Sequence, residues 1–168
     1  MIAEENLKIF GTLPWLVFFQ GGPGFESPVV TGRRGWLRSA LKTYQVLLLD
    51  QRGTGLSSAI NAQNISLLTS SEEKAKYIAY FRTESIVRDA EEIRKFLLKQ
   101  KQSPKWSILG QSFGGFCCYH YLSFYSHAVE KAFITGGIPP SVSDPDLVYK
   151  CLYTRVIEAN NSYYERYI

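Results

Sequence analysis

The chain holds only two histidines, His120 and His127, in 168 residues. Any chemistry that needs an imidazole base must use one of them. Cysteine is scarce and odd in number at three, and Cys117 and Cys118 are adjacent. That spacing argues against a disulfide framework and against a metal site. The thiols read as core residues in a reducing compartment, and a cytoplasmic location is the expectation. No apolar run approaches the ~20 residues that span a bilayer. The opening MIAEENLKIF is acidic before it is apolar, unlike a signal peptide. The net charge of +4 is mild, and Arg33, Arg34, Lys99, Lys101 and Lys105 are scattered rather than gathered in a stripe. Neither a nucleic-acid nor a membrane partner is indicated. Internal repeats and low-complexity segments are absent.

What is present is a chain of one domain's length, 45% hydrophobic and 20% charged, enough to build a core. Residues 13–20 (LPWLVFFQ) are a continuous apolar run stopped by GGPG, as a buried parallel strand would be. Residues 44–50 (YQVLLLD) repeat the pattern before QRGTG, 106–109 before GQSFGG, and 131–135 before Gly136–Gly137 and Pro139–Pro140. Helices are predicted over 35–42, 83–99 and 114–126, with a further one over 71–80. In the helix over 83–99, Ile86, Val87, Ala90, Ile93 and Leu97 share one face, while Glu84, Arg88, Glu91, Glu92, Arg94 and Lys95 lie largely off it. Residues 141–168 show helical spacing around Val148, Leu152 and Val156 and are rich in tyrosine. Alternating strands and helices predict an α/β fold with a parallel sheet and helices on both faces. In such sheets ligands bind beyond the carboxyl ends of the strands, where all the glycine-bearing turns fall. They should form one site.

Gly110-Gln111-Ser112-Phe113-Gly114 fits G-x-S-x-G between a predicted strand and a predicted helix, the setting of a nucleophile elbow. An ordinary serine in a glycine-rich turn is the competing reading, and the strand-to-helix context favours the elbow. Gly21-Gly22-Pro23-Gly24 is no phosphate loop, because no Gly-Lys-Ser/Thr follows. It suits an oxyanion loop, whose backbone N–H groups must approach the substrate. One donor would come from Gly21 or Gly22, the other from Phe113. Asp50-Gln51-Arg52-Gly53-Thr54-Gly55 lacks the third glycine of a dinucleotide turn. It reads as a turn held by an Asp50/Arg52 pair at the active-site rim. Gln20 and Gln111 flank the same site.

FFQGGPGFESP, VLLLDQRGTGLS, FRTESIVRDAEEIR, WSILGQSFGGF, AFITGGIPP and YYERY, in this order, resemble the proline iminopeptidase (prolyl aminopeptidase) family of α/β-hydrolases. The resemblance runs from about residue 13 to 167. It implies a serine peptidase that releases N-terminal proline from peptides, without metal or cofactor. It also implies an incomplete α/β-hydrolase core over 1–140 and the beginning of a helical cap over 141–168. Two departures stand out. The family commonly has histidine before GGPG, where this chain has Gln20. In α/β-hydrolases the triad follows the order Ser, Asp or Glu, His. After Ser112 come Glu130, Asp144, Asp146, Glu158 and Glu165, but no histidine follows any of them.

His120 and His127 lie in or past the helix leaving the elbow, ~12 Å and ~22 Å along its axis at 1.5 Å per residue. A general base must come within about 3 Å, or one water, of the proton it takes. By resemblance, then, the chain would stop before the triad acid and histidine and begin after the first strands of the sheet. The strand order would be second, first, third, fourth, leaving the second and fourth as open apolar edges that invite self-association. Marginal stability, or dependence on another chain, is expected. Two other readings stay open: a non-catalytic product acting as a decoy or pairing protomer, and another α/β-hydrolase such as an esterase.

Overall fold

The computed structural model describes residues 2–3, 12–28, 35–100, 104–137 and 145–168. The Pro139–Pro140 turn and the start of the expected cap over 141–144 lie outside the described residues. Five strands form one sheet: β1 (Ile2–Ala3), β2 (Trp15–Phe19), β3 (Gln45–Leu49), β4 (Trp106–Gln111) and β5 (Val129–Thr135), in the order β1-β3-β2-β4-β5. The last four are parallel to one another, and β1 pairs antiparallel with β3. The order of the four parallel strands is the expected one. The expectation that β3 is an open edge is corrected, since Ile2 and Ala3 pair with Leu47 and Val46. β5 does lie at an edge, with Phe133 exposed.

β2 is central, and all five of its residues (WLVFF) are buried, which is why its sequence is apolar without alternation. Its two faces feed two cores. Val17 and Phe19 pack with Ile86, Val87 and Ala90 of α4 (Thr83–Leu98) and with Cys117, Cys118 and Tyr121 of α5 (Phe113–Tyr125). Leu16 and Phe18 pack with Leu37 of α1 (Gly35–Ala40), Leu41, and Val46 and Leu48 of β3. Helices therefore lie on both faces of the sheet, as expected. Burying each such phenylalanine contributes about 1.5–3 kcal/mol. Burial pushes the Cys117 and Cys118 thiols up to about 12, as befits core residues. Cys151 is exposed, so the core reading is corrected for that one.

The connection over 56–80 is more ordered than its polarity suggests. It holds α2 (Ala62–Ser66) and α3 (Ser71–Ala79). The Ser70 hydroxyl accepts from the Glu73 N–H at 3.1 Å, and the Glu73 carboxylate accepts from the Ser70 N–H at 3.2 Å. This reciprocal cap fixes where α3 starts. A third correction concerns α4. Glu91 and Arg94 are not on its solvent side but buried and bonded to each other, with Glu91 also accepting from the Tyr121 hydroxyl.

The chain divides into two compact units, 1–138 and 139–168. The second contains α6 (Pro145–Tyr167), a single helix in which Tyr163 stacks against Tyr164 and Tyr167. Among the described residues no helix is long and apolar enough to cross a membrane.

Candidate active site

β4 ends at Gln111 and α5 begins at Phe113, leaving one residue, Ser112, to make the turn. It does so at φ 52° and ψ −117°, and among the described residues it is the one non-glycine with positive φ. Such backbone costs on the order of 1–3 kcal/mol and persists only where the surroundings impose it. Here they do. The Ser112 N–H donates to the Thr135 carbonyl at 2.8 Å, and the Gly115 N–H donates to the Ser112 carbonyl at 2.8 Å. Gly114 lies so close to the end of β2 that a Cβ there would overlap the Phe19 carbonyl. A Cβ on Gly115 would stand 2.6 Å from the Gly137 Cα. The glycines thus let α5 settle onto β2 and the turn after β5, and the serine is pushed out into solvent, where it is exposed.

The loop after β2 closes against this turn. A Cβ on Gly21 would be 3.3 Å from the Ser112 Cβ and 3.1 Å from the Gln111 carbonyl oxygen. Gly22 has φ 123°, and the Gly22–Pro23 peptide is cis. The Gly21 N–H donates to Gln20 Oε1 at 3.1 Å, and Gln20 Nε2 donates to the Glu26 carbonyl at 3.2 Å. Phe113, first in α5, has no acceptor for its N–H within its own helix. Two backbone segments, the loop after β2 and the start of α5, therefore meet at the Ser112 turn, and backbone N–H groups at such a junction form a candidate oxyanion array. Such an array can polarise a carbonyl and hold the negative charge that develops on its oxygen.

The turn after β3 acts as scaffold, and its expected pairing is corrected. Asp50 does not pair with Arg52. Its carboxylate accepts from the Ser27 N–H at 2.8 Å and the Leu56 N–H at 2.9 Å, joining the loops after β2 and β3. Arg52 instead makes a bidentate pair with Asp89 of α4 at 2.6 and 2.5 Å and donates to the Tyr80 carbonyl at 2.9 Å. Hydrogen bonding to Asp89 raises the guanidinium's pKa further. Two residues not foreseen complete the frame. Gln51 Nε2 donates to the Gln20 carbonyl at 3.1 Å, and Ser27 Oγ donates to the Leu49 carbonyl at 2.7 Å. The polar letters of DQRG and FESP were the available signal, but their partners are 20 to 40 positions away.

A cleft of about 630 Å³ opens beside this array, lined by Pro23, Gly24, Gln51, Phe81, Phe113 and His120 among others. His120 stacks on Phe124, with ring centroids 4.6 Å apart. Seven residues beyond Phe113 on α5, it stands ~10 Å along the axis. His127 lies past the far end of that helix, against Tyr125. Neither histidine is bonded to Ser112. Among the described residues no cluster of His, Cys, Asp and Glu could hold a metal ion.

Residues 14–152 match the α/β-hydrolase fold model. The chain belongs to the α/β-hydrolase family. A proline iminopeptidase of Aeromonas sobria is 41% identical over 177 aligned residues, covering 98% of this chain and 40% of that protein. A proline iminopeptidase of Aspergillus aculeatus is 39% identical over 160 residues, covering 92% of this chain and 35% of that protein. This α/β-hydrolase chain thus spans about 40% or less of the length of those curated relatives. A solved hydrolase of Pseudomonas aeruginosa superposes with a TM-score of 0.54 at 16% identity, covering 83% of this chain and 43% of that one. At that identity the likeness speaks for the fold alone.

Proposed function

We infer that this chain carries the nucleophile and the oxyanion donors of a serine hydrolase of prolyl aminopeptidase type, acting on peptides with an N-terminal proline. The observation that carries the reading is Ser112, exposed at φ 52° on a one-residue strand-to-helix turn against the Gly21–Gly22 loop. The likeness to two proline iminopeptidases supplies the substrate class. In the reaction, Ser112 Oγ attacks the scissile carbonyl carbon. The carbonyl oxygen takes up the negative charge facing the N–H groups of the Gly21–Gly22 segment and Phe113. The serine proton passes to water, since neither His120 nor His127 is a base for it. The intermediate then collapses, the C–N bond breaks, the amine leaves with a proton from water, and a second water hydrolyses the prolyl-serine ester.

An unassisted serine is a weak nucleophile. Oxyanion stabilisation and binding can still give ~10³–10⁴-fold over water when triad members are removed. With no imidazole in reach of Ser112, turnover by this chain is slow, and the helix over Pro145–Tyr167 is read as part of a helical cap. The unpaired Cys117 and Cys118 fit a cytoplasmic setting.

Hydrolysis of proline aminomethylcoumarin by the chain, beside Ser112→Ala and Ser112→Gly, tests this. The wild type should exceed both variants. Ser112→Gly should also be more stable by about 1 kcal/mol, because glycine adopts this backbone without strain. A loss of rate in that variant is then not a loss of fold. Equal rates in all three would mean that this chain is not itself an enzyme. p-Nitrophenyl acetate hydrolysed in preference to the proline amide would point to an esterase. The open β5 edge favours one further reading, a protomer that pairs through it. A clean monomer by light scattering would rule that out.

A further inference from the structure

We propose that Gln20 is a positioning residue, a side-chain strap that sets the shape of the oxyanion loop and decides which of its N–H groups faces the substrate. The proposal rests on the reading of Ser112 as nucleophile, but its geometry stands independently. Gln20 spans the loop from one end to the other. Its Oε1 accepts from the Gly21 N–H at 3.1 Å, and its Nε2 donates to the Glu26 carbonyl at 3.2 Å. Its own carbonyl is held by Gln51 Nε2 at 3.1 Å, and Gln51 is buried. The strap is thus anchored to the turn after β3 on one side and draws residues 21–26 into a closed loop on the other.

Two consequences follow for the donors. The Gly21 N–H is already occupied, so the loop's contribution to an oxyanion falls to Gly22, with Phe113 the second donor. The loop is also fixed before substrate arrives, and preorganised donors lose nothing to rearrangement during reaction. The amide is suited to this task because it offers an acceptor and a donor on one planar group. A carboxylate offers only acceptors, and a neutral imidazole offers one of each. This ranks substitutions at position 20 by hydrogen-bond chemistry rather than by size or polarity.

The test uses the full 168-residue chain and four versions: wild type, Gln20→Ala, Gln20→Glu and Gln20→His. Against proline aminomethylcoumarin near pH 8, Gln20→Ala and Gln20→Glu should lose up to about 100-fold in kcat with KM little changed, since a misaimed donor acts on the transition state. Gln20→His should recover most of the rate. Thermal melting should be similar for all four, because Gln20 is only half-buried. Hydrogen exchange of the Gly21 amide should quicken severalfold in Gln20→Ala. Unchanged kcat in Gln20→Ala, or a loss shared equally by Gln20→His, would overturn the strap. If wild type and Ser112→Ala hydrolyse equally, the functional reading fails on its own. The strap is then judged by amide exchange: a Gly21 amide that exchanges alike in wild type and Gln20→Ala overturns it, and selective acceleration supports it.

Discussion

Gly114→Ala is expected to cost about 3 kcal/mol or more of stability and to reduce the reactivity of Ser112 by about 100-fold in whatever fraction still folds. The reason is where the added methyl would go. It would overlap the Phe19 carbonyl oxygen, approach the Phe19 carbonyl carbon to 2.7 Å and stand 3.1 Å from the Gln20 carbonyl oxygen. All three are backbone atoms at the end of the central strand, and no flexible side chain is present to give way. β2 is buried along its whole length and hydrogen-bonded on both sides, to β3 and to β4, so it cannot retreat.

The helix must move instead. Lifting α5 off β2 would loosen Cys117, Cys118 and Tyr121, which are fully buried in the larger core. It would also relax the turn that forces Ser112 outward. Gly24→Ala is the useful contrast. Unlike Gly114 it has positive φ, 114°, but a methyl there meets nothing within 4 Å, so only the backbone penalty of about 1–2 kcal/mol applies. Urea midpoints of the two variants would show the difference. A Gly114→Ala chain with wild-type stability would mean that α5 does not sit on β2 as described.

The features that encode the site most openly are those with a short sequence range. Apolar runs halted by glycine marked β2, β3 and β4. G-x-S-x-G between a strand and a helix marked Ser112, because one local constraint, the sharp turn, dictates all three residues. The reciprocal cap of α3 is equally local, with Ser70 and Glu73 at the spacing such caps require, but only the helix over 71–80 was expected. What stayed hidden depended on tertiary neighbours. Nothing within six residues of Arg52 indicates that its partner is Asp89, 37 positions on, rather than the nearby Asp50. Nor does periodicity show that Ile2 and Ala3 line the edge of β3. Burial of Glu91 and Arg94 breaks the amphipathic rule because each supplies the charge the other needs. Helical spacing alone treats both as solvent-facing.

That buried pair supports the second large effect. Glu91→Gln is expected to destabilise the chain by about 3–5 kcal/mol, the range for removing one partner from a buried ion pair. Glu91 and Arg94 are 1% and 5% exposed, and Tyr121 is fully buried. The Glu91 carboxylate accepts from Arg94 Nε at 2.8 Å, Arg94 Nη2 at 2.7 Å and the Tyr121 hydroxyl at 2.5 Å. Arg94 Nη1 also donates to the Pro104 carbonyl. Glutamine keeps the shape but leaves the guanidinium charge in the core without its counterion.

The pH dependence follows from the same contacts. Burial pushes the Glu91 carboxyl upward, but the hydrogen bonds from Arg94 and Tyr121, together with the positive charges of Arg94 and Lys95, outweigh it and leave the group below its ordinary value. A carboxyl depressed on folding stabilises the native state above its unfolded pKa of about 4.3, and that contribution is lost as pH falls through the folded value. The stability gap between wild type and Glu91→Gln should therefore be widest near neutrality and narrow as pH drops below about 4. Urea unfolding at neutral and acid pH would measure it, and a gap that stays constant would remove Glu91 from the account. Because Tyr121 lies two turns along α5 from Phe113, the same substitution should also loosen the Ser112 turn, slowing its reaction before the fold is lost.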